Sequence, residues 1–208
     1  MSTATTDISS DKVKLLRDRT GAGMMDCKKA LSEAGGDMEK AIDVLRKKGA
    51  ATAEKRADRA TNQGVVEAYI HAGGRIGVLV EVNCETDFVA RTPDFQGFVK
   101  DIAMHIAASS PRFVGRDEVT ETVLDAEREI HRARATATGK PEAVIEKMVS
   151  GQMEKFYEEF CLLEQPFVKD TNLTVGSLLT EKVAKLGENI RIRRFVRFAL
   201  GEGIEKAS

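Results

Sequence analysis

Hydrophobic and polar positions along the chain follow three patterns in turn, and the first of them predicts three short helices. Between Asp11 and Gly49, apolar residues recur every three or four positions in runs separated by glycines. We expect Asp11 to cap the first helix, Met24 to begin the second, Asp37 to cap the third and Gly49 to end it. Such a unit buries little apolar surface, which favours a docking module over a catalytic domain. The expected inward residues of the first helix are Val13, Leu15 and Leu16.

The second pattern has a period of two and predicts a β-hairpin. It begins after residues 50–62, AATAEKRADRATN, which are rich in alanine and charge, lack glycine and proline, and predict an exposed helical linker. Residues 64–84, GVVEAYIHAGGRIGVLVEVNC, contain two β-branched runs around the glycine pair of a tight turn. On the second strand, Ile76, Val78, Val80 and Val82 are predicted to share one buried face.

The third pattern returns to helical spacing after Thr92-Pro93-Asp94, which is typical of a helix start. Two further helical stretches are predicted near 117–138 and 141–163, followed by a short helix near 174–186 and a strand at 190–200. The fold class is therefore α+β, with a small antiparallel sheet packed against helices. The predicted domains are a three-helix module at 1–50, a linker at 51–63 and a core at 64–208. The first of these later helices should bury Phe95, Phe98, Val99, Ile102 and Ile106.

Composition narrows the classes of function that the chain could serve. Hydrophobic residues make up 42% of the sequence, which is enough for a packed core. The 32 basic and 33 acidic residues give a net charge of −1, which argues against a dedicated binder of nucleic acid or membrane surface. No apolar run approaches the roughly 18 residues of a membrane-spanning helix, so we expect a cytoplasmic protein. Three scattered cysteines predict reduced thiols, and no cofactor or metal site is expected from three dispersed histidines.

Motifs of catalysis are missing from the sequence, and two weaker hypotheses remain. Cys84, with Asp87 and a distant histidine, could form a thiol nucleophile, although a cysteine at the end of an apolar strand more often serves packing. The strand at 190–200 could bind RNA, because basic and aromatic residues interleave on it. The alternative is a solvated strand face whose long stems cover the helices below. The residues that would form the RNA-binding face are Arg191, Arg193, Phe195 and Arg197.

The stretch NCETDFVAR at 83–91 places an acid beside an aromatic ring directly after a buried strand. If the alternation of the strand continued, Phe88 would lie on the same side as Val82, in the core. Asp87 could then serve simply as a helix cap. The alternative is an exposed tip that contacts another molecule, and the residues alone leave both interpretations open.

Five segments together resemble the bacterial elongation factor Ts family. They are LRDRTGAGMMDCKKAL at 16–31, EVNCETDFVA at 81–90, GKPEAVIEKMVSGQMEKF at 139–156, QPFVKD at 165–170 and RFALGEGIEK at 197–206. They cover nearly the whole chain in order, which makes chance agreement far less probable than for any short motif. The resemblance implies an N-terminal three-helix, UBA-like module, a linker and an α+β core.

The resemblance also implies a function and a set of contact residues. Members of the family act as guanine-nucleotide exchange factors for elongation factor Tu and are not enzymes in the chemical sense. The segment that disturbs the magnesium subsite of the GTPase corresponds to Thr86, Asp87, Phe88 and Val89. The contacts of the N-terminal module correspond to Arg17, Met24, Met25 and Lys28, and a contact of the core corresponds to His71.

Two qualifications apply to what the resemblance implies. Adjacent helical positions face different directions, so at least one of Met24 and Met25 is expected to pack in the helical core. Long members of the family carry the core unit twice with a helical insertion between, whereas this chain has a single hairpin. As a short form, it is expected to pair with a second copy through its sheet and to form a 2:2 complex with elongation factor Tu. No direct contact with nucleic acid or membrane is expected.

Overall fold

The computed structural model describes residues 8–204. The predicted domains 1–50 and 64–208 therefore extend beyond it at residues 1–7 and 205–208. The described chain contains helices and strands in the order α1 to α3, β1, β2, α4 to α7, β3, β4, α8 and β5. Their bounds are α1 Ser10–Thr20, α2 Met24–Glu33, α3 Met38–Glu54, β1 Gln63–Ile70, β2 Ile76–Cys84, α4 Asp87–Ala90, α5 Pro93–Ser109, α6 Glu121–Thr136, α7 Glu142–Phe160, β3 Pro166–Phe167, β4 Asp170–Thr174, α8 Val175–Leu186 and β5 Ile190–Ala199.

The chain divides into two compact units. The first unit contains the residues up to 64 together with 83–96 and 179–191, and the sheet unit contains 65–82, 97–178 and the residues from 192 onward. The α+β class is confirmed, with β1, β2 and β5 forming a small sheet in that order and β3 and β4 forming an antiparallel pair. The domain boundaries at 50 and 63 and the UBA-like character of the module stay predictions.

Helices α1 to α3 form their own core in the first unit, and several of their ends differ from expectation. Ser9 caps α1, because its hydroxyl accepts a hydrogen bond from the Lys12 amide at 3.3 Å, so the prediction of Asp11 as cap is wrong. Leu15 is exposed rather than inward. Asp37 caps α3 as predicted, accepting from Lys40. The core residues are Val13, Leu16, Cys27, Ala30, Leu31 and Ala41.

The segment after Gly49 corrects two further predictions. Helix α3 continues through Gly49 to Glu54, and a methyl group added to this buried glycine would lie at an ordinary contact distance of 3.5 Å from the Ala184 side chain. Gly49 is thus an interior residue of α3, and the prediction that it ends the helix is wrong. The predicted helical linker ends early. The side-chain amide of Asn189 donates through Nδ2 to the carbonyls of Ala57 and Arg59, at 3.1 and 2.8 Å, which holds this segment as turns.

In the sheet unit, the alternation predicted for β2 is confirmed. Val78, Val80 and Val82 are buried, whereas Leu79 between them is exposed and Ile76, at the start of the strand, is only half-buried. The helical spacing predicted for α5, whose residues up to 96 belong to the first unit, is confirmed as well, since Phe95, Phe98, Val99, Ile102 and Ile106 are all buried. Helices α6 and α7 pack on each other around a separate apolar cluster, whose buried members include Leu124, Ala135, Ile145, Val149, Met153 and Phe156.

Candidate site for partner binding

The residues that connect β2 to α5 form an exposed tip, which we define as Thr86–Val89. The strand ends at Cys84, and the chain turns into the four-residue helix α4. Because the turn breaks the alternation of the strand, Phe88 does not return to the core, and 81% of its surface is exposed. The interpretation that placed Phe88 beside Val82 in the core is therefore wrong.

Asp87 is the first residue of α4 and not its cap. Thr86 is the cap, with an extended backbone and a hydroxyl that accepts from the Val89 amide at 3.4 Å. The Asp87 carboxylate lies 2.9 Å from the Arg91 guanidinium, and both side chains are partly exposed. The tip therefore presents an acid next to an aromatic ring, as the sequence suggests.

The tip is anchored by the residues between α8 and β5. The carboxylate of Glu188 accepts from the Thr86 amide at 3.0 Å and from the Thr86 hydroxyl at 2.6 Å. The neighbouring residues form a second link, because the Glu85 carboxylate accepts from the Asn189 backbone amide at 2.7 Å. This hydrogen bond, together with the nearby Arg59 guanidinium, lowers the pKa of the Glu85 carboxyl. Two consecutive residues before α4 are thus tied to two consecutive residues before β5.

The thiol next to the tip does not support nucleophilic chemistry. Cys84 is fully buried, and its thiol donates to the Thr86 carbonyl at 3.1 Å. Burial, with a further contribution from the Glu188 charge, raises the pKa of the Cys84 thiol to about 11. The thiolate that a nucleophile requires is therefore scarce at neutral pH.

The four candidate residues of the N-terminal module all have exposed side chains. Arg17 lies on α1, whereas Met24, Met25 and Lys28 lie on α2. Met24 is 54% exposed and Met25 is 63% exposed, so the prediction that at least one of them packs in the core is wrong. Later positions of α2 supply the core instead, namely Cys27, Ala30 and Leu31.

The tip and the N-terminal helices belong to the same compact unit. Its third segment, 179–191, contacts the other two. Lys185 forms an ion pair with Asp94 at 2.9 Å, which lowers the pKa of the Asp94 carboxyl. A side chain at Gly21 would meet the stem of Lys185 at 3.2 Å, and Gly21 adopts a φ of +66° that favours glycine. One lysine thus contacts both the turn after α1 and the start of α5.

His71 lies in the sheet unit, at the end of β1. Its amide donates to the Ile76 carbonyl at 2.9 Å and closes the hairpin. Its ring is exposed, and its Nδ1 lies 3.1 Å from the Tyr69 hydroxyl. The end of the β1 strand therefore carries a hydrogen-bonding pair of rings, with the Tyr69 ring half-buried and the His71 ring exposed.

The strand that the RNA hypothesis requires does not present its basic residues on one face. Arg193 and Arg194 are both exposed, and both bind the carboxylate of Glu81, at 2.8 and 2.7 Å. Beyond them the alternation shifts, and the Arg197 side chain is only 15% exposed, with Nε donating to the Ala107 carbonyl. Arg191 is also exposed, but with Arg193 paired and Arg197 covered the strand is a poor platform for phosphate groups.

Two further observations hold for the described part of the chain as a whole. Among residues 8–204, histidine, cysteine and acidic side chains form no cluster suited to a metal ion. Over the same residues, none of the helices is both long and apolar enough to cross a lipid bilayer.

Sequence reasoning missed the anchors of the tip. Glu188 and Asn189 lie more than a hundred positions from Thr86, and nothing in the local pattern indicates the pairing. The available signal is the sequence Gly187-Glu188-Asn189 between a helix and a strand, which predicts a turn but not its partner.

Comparisons with known proteins extend the resemblance over almost the entire chain. The family described as "Elongation factor TS" matches residues 23–202. Elongation factor Ts of Carboxydothermus hydrogenoformans is 65% identical over 199 residues, covering 96% of this chain and 92% of that protein. Proteins of the same name from Thermoanaerobacter sp. and Moorella thermoacetica are 63% and 64% identical, covering 97% and 95% of this chain and 98% and 97% of their own lengths.

Proposed function

Because this chain belongs to the elongation factor Ts family, a family of translation elongation factors, we propose that it promotes GDP release from elongation factor Tu. The observation that carries the proposal is Phe88, an aromatic side chain 81% exposed at an anchored tip within the family's EVNCETDFVA segment. The expected place of action is the cytoplasm.

The proposed action is differential binding and involves no covalent step. A GTPase of this class holds its nucleotide through backbone amides around the phosphates and through a magnesium ion that bridges them. We call the state of the GTPase in which these contacts to the nucleotide are weakened the loosened state. A protein that binds this state more tightly weakens the binding of nucleotide to the GTPase. By linkage, nucleotide weakens the binding of that protein by the same factor. Shifting that equilibrium by a factor of about 10⁴ requires about 5.5 kcal/mol of differential binding. Contacts made only in the loosened state must supply this free energy.

The tip can supply such contacts. The Phe88 ring would fill a pocket that opens when the magnesium subsite is disturbed, as a buried aromatic anchor does in other interfaces. Asp87, next to it, would alter the hydrogen bonds and the charge around the water shell of the magnesium ion. Thr86 and Val89 complete the segment and hold its backbone through the Val89 amide.

The remaining candidate residues would dock the factor without loosening the nucleotide. Arg17, Met24, Met25 and Lys28 are exposed in the same compact unit as the tip, which supports their joint use on the GTP-binding domain. His71 belongs to the sheet unit and would contact a different domain of the GTPase. Uniform binding of this kind raises affinity without favouring the loosened state.

We further propose that two copies of the chain associate through the outer face of the β1–β2–β5 sheet and bind two GTPase molecules. Apolar side chains are exposed on all three strands, which is unusual for a surface in contact with water. A two-fold interface brings the same patch of each copy together, so one apolar face suffices for both. The exposed apolar residues are Val66, Ile70, Leu79, Val196 and Phe198.

The test is release of a fluorescent GDP analogue from purified elongation factor Tu. The wild-type factor should accelerate release, and Phe88→Ala should lose most of this acceleration while its thermal unfolding stays unchanged, because an exposed ring contributes little to the core. Val144→Ala truncates another exposed apolar side chain, on α7, and should behave as the wild type. Wild-type release rates in Phe88→Ala, or no acceleration by the wild type, would contradict the proposal.

A further inference from the structure

The geometry points to Glu188 as a positioning residue that holds the tip Thr86–Val89 in an ordered conformation before any partner binds. In this conformation the tip would act as a wedge that enters the GTPase. This inference rests on the proposed function for its consequence in nucleotide exchange. Its structural part can be measured on the protein alone.

Helix α4 is too short to be stable by itself. A four-residue helix has too few backbone hydrogen bonds to offset the conformational entropy of its own nucleation. Phe88 is mostly exposed, so the packing of its ring cannot hold the backbone either. The conformation of the tip must therefore be fixed by its two ends.

The C-terminal end of the tip is held by residues that follow it directly in sequence. Ala90 is buried, and the Thr92 hydroxyl donates to the Val89 carbonyl at 2.8 Å. The same hydroxyl accepts from the Phe95 amide at 3.3 Å, which ties it to the first turn of α5. This end is thus anchored by a neighbour in sequence, and its contacts come with the start of α5.

The N-terminal end of the tip depends on a residue distant in sequence. Glu188 uses both carboxylate oxygens on the amide and the hydroxyl of Thr86. Because the hydroxyl proton is directed at Glu188, the lone pairs of the same oxygen face the Val89 amide that it caps. Glu188 therefore sets both the backbone and the rotamer of the capping residue.

The consequence for exchange is pre-organisation. A wedge that is ordered in advance does not lose conformational entropy when it enters the GTPase, so more of its contact energy favours the loosened state. Glu188 itself acts through Thr86 and is not assigned a contact with the GTPase. Its removal should leave docking through the N-terminal module intact and weaken only the step that the wedge performs.

The first experiment measures the free protein. In Glu188→Ala, hydrogen exchange at the Val89 amide should become at least tenfold faster, whereas amides in the core of α5 should be unchanged. Glu54→Ala removes an exposed carboxylate from the end of α3 in the same unit and serves as the matched control. Unchanged protection of Val89 would overturn the inference, whether or not the chain is an exchange factor.

The second experiment measures nucleotide release at increasing concentrations of factor. Glu188→Ala should lower the maximal rate of GDP release about tenfold and leave the half-saturating concentration within about twofold. In the Phe88→Ala background the same substitution should have no further effect, because the ring that it positions is gone. Equal losses in both backgrounds would mean that Glu188 acts elsewhere. Acceleration by the wild type with an undiminished maximal rate in Glu188→Ala would overturn the positioning role but not the proposed function.

Discussion

At the scale of single residues, burial decides which chemically suggestive side chains remain candidates for function. Phe88 and Cys84 are four positions apart, yet the ring is exposed and the thiol is fully buried. The same burial that stabilises Cys84 keeps it protonated. An acid and a ring at a surface corner suit contact with another protein, whereas a protonated, enclosed thiol suits packing.

The state of the cysteines leads to a prediction about thiol reactivity. Cys27, Cys84 and Cys161 are all buried, and burial raises the pKa of Cys84 and of Cys161 to about 11. At pH 7.5 a thiol-specific chromogenic reagent should label the native protein slowly, at well under one thiol per chain over an hour, and should label all three thiols in urea. Cys84→Ser should keep nucleotide exchange intact. Rapid labelling of one native thiol, with loss of activity, would instead support the thiol hypothesis.

At the scale of elements, a buried histidine connects α5 to the β3–β4 pair. His105 is fully buried, its Nδ1 accepts from the Val168 amide at 3.2 Å, and its Nε2 lies 2.9 Å from the Gln165 side-chain oxygen. The Val168 amide can only donate, so Nδ1 is the acceptor and the proton lies on Nε2. Gln165 in turn donates to the carbonyls of Ser109 and Glu159. The network is satisfied only while the ring is neutral.

This network predicts a pH dependence of stability. Burial lowers the pKa of His105 in the folded state, so the unfolded chain binds the proton more tightly. The contribution is fully present above the unfolded value of about 6.5 and is lost as the pH falls below it. Urea unfolding should show wild-type stability decreasing between pH 6.5 and 5.

The matched variant for this prediction is His105→Gln, which keeps a donor and an acceptor. It should be less stable at pH 7 by about 1–3 kcal/mol, because its hydrogen bonds fit less well. Its stability should change less than that of the wild type between pH 6.5 and 5. Equal slopes in the two proteins would show that His105 does not contribute to the acid sensitivity.

The elements show where sequence patterns are sufficient. Helix α5 follows from its spacing alone, since five apolar positions at helical intervals can be buried together in only one way. The end of α3 could not be predicted, because Gly49 resembles a helix stop although the helix continues through it to Glu54. The face of β5 also could not be predicted, because its alternation shifts near Arg194. Local patterns set the type of each element, and contacts distant in sequence set its limits and its orientation.

The candidate site, too, could be predicted only in part from the sequence. The sequence pattern and the family resemblance together single out Thr86–Val89, but they leave the direction of the Phe88 ring open. That direction depends on the strand ending at Cys84 and on the capping of α4, and the cap is held by Glu188 from the other end of the chain. A residue whose role is exerted through a distant partner has no signature in a single sequence.

At the scale of the whole molecule, the remaining prediction concerns assembly. The chain has a mass of 22.8 kDa, and sedimentation equilibrium at micromolar concentration should give about twice that value if two copies pair through their sheets. Leu79 and Phe198 are both exposed on this face, on β2 and β5. Replacing both with aspartate would place four buried charges in a two-fold interface, which is strongly unfavourable. Leu79→Asp/Phe198→Asp should therefore sediment as a monomer.

The control and the functional consequence make this prediction decisive. Val144→Asp introduces a charge at an exposed apolar position on α7 and should leave the mass unchanged. The variant Leu79→Asp/Phe198→Asp should retain its unfolding transition, because both side chains are already accessible to water in one copy. The tip and the N-terminal helices belong to the first unit, so a monomer with an intact first unit should still promote GDP release from the GTPase. If both copies contribute to docking, the monomer should bind the GTPase less tightly. A wild type that sediments at 22.8 kDa alone, and as a complex of one factor with one GTPase when the GTPase is added, would exclude pairing through the sheet and leave the exchange proposal standing.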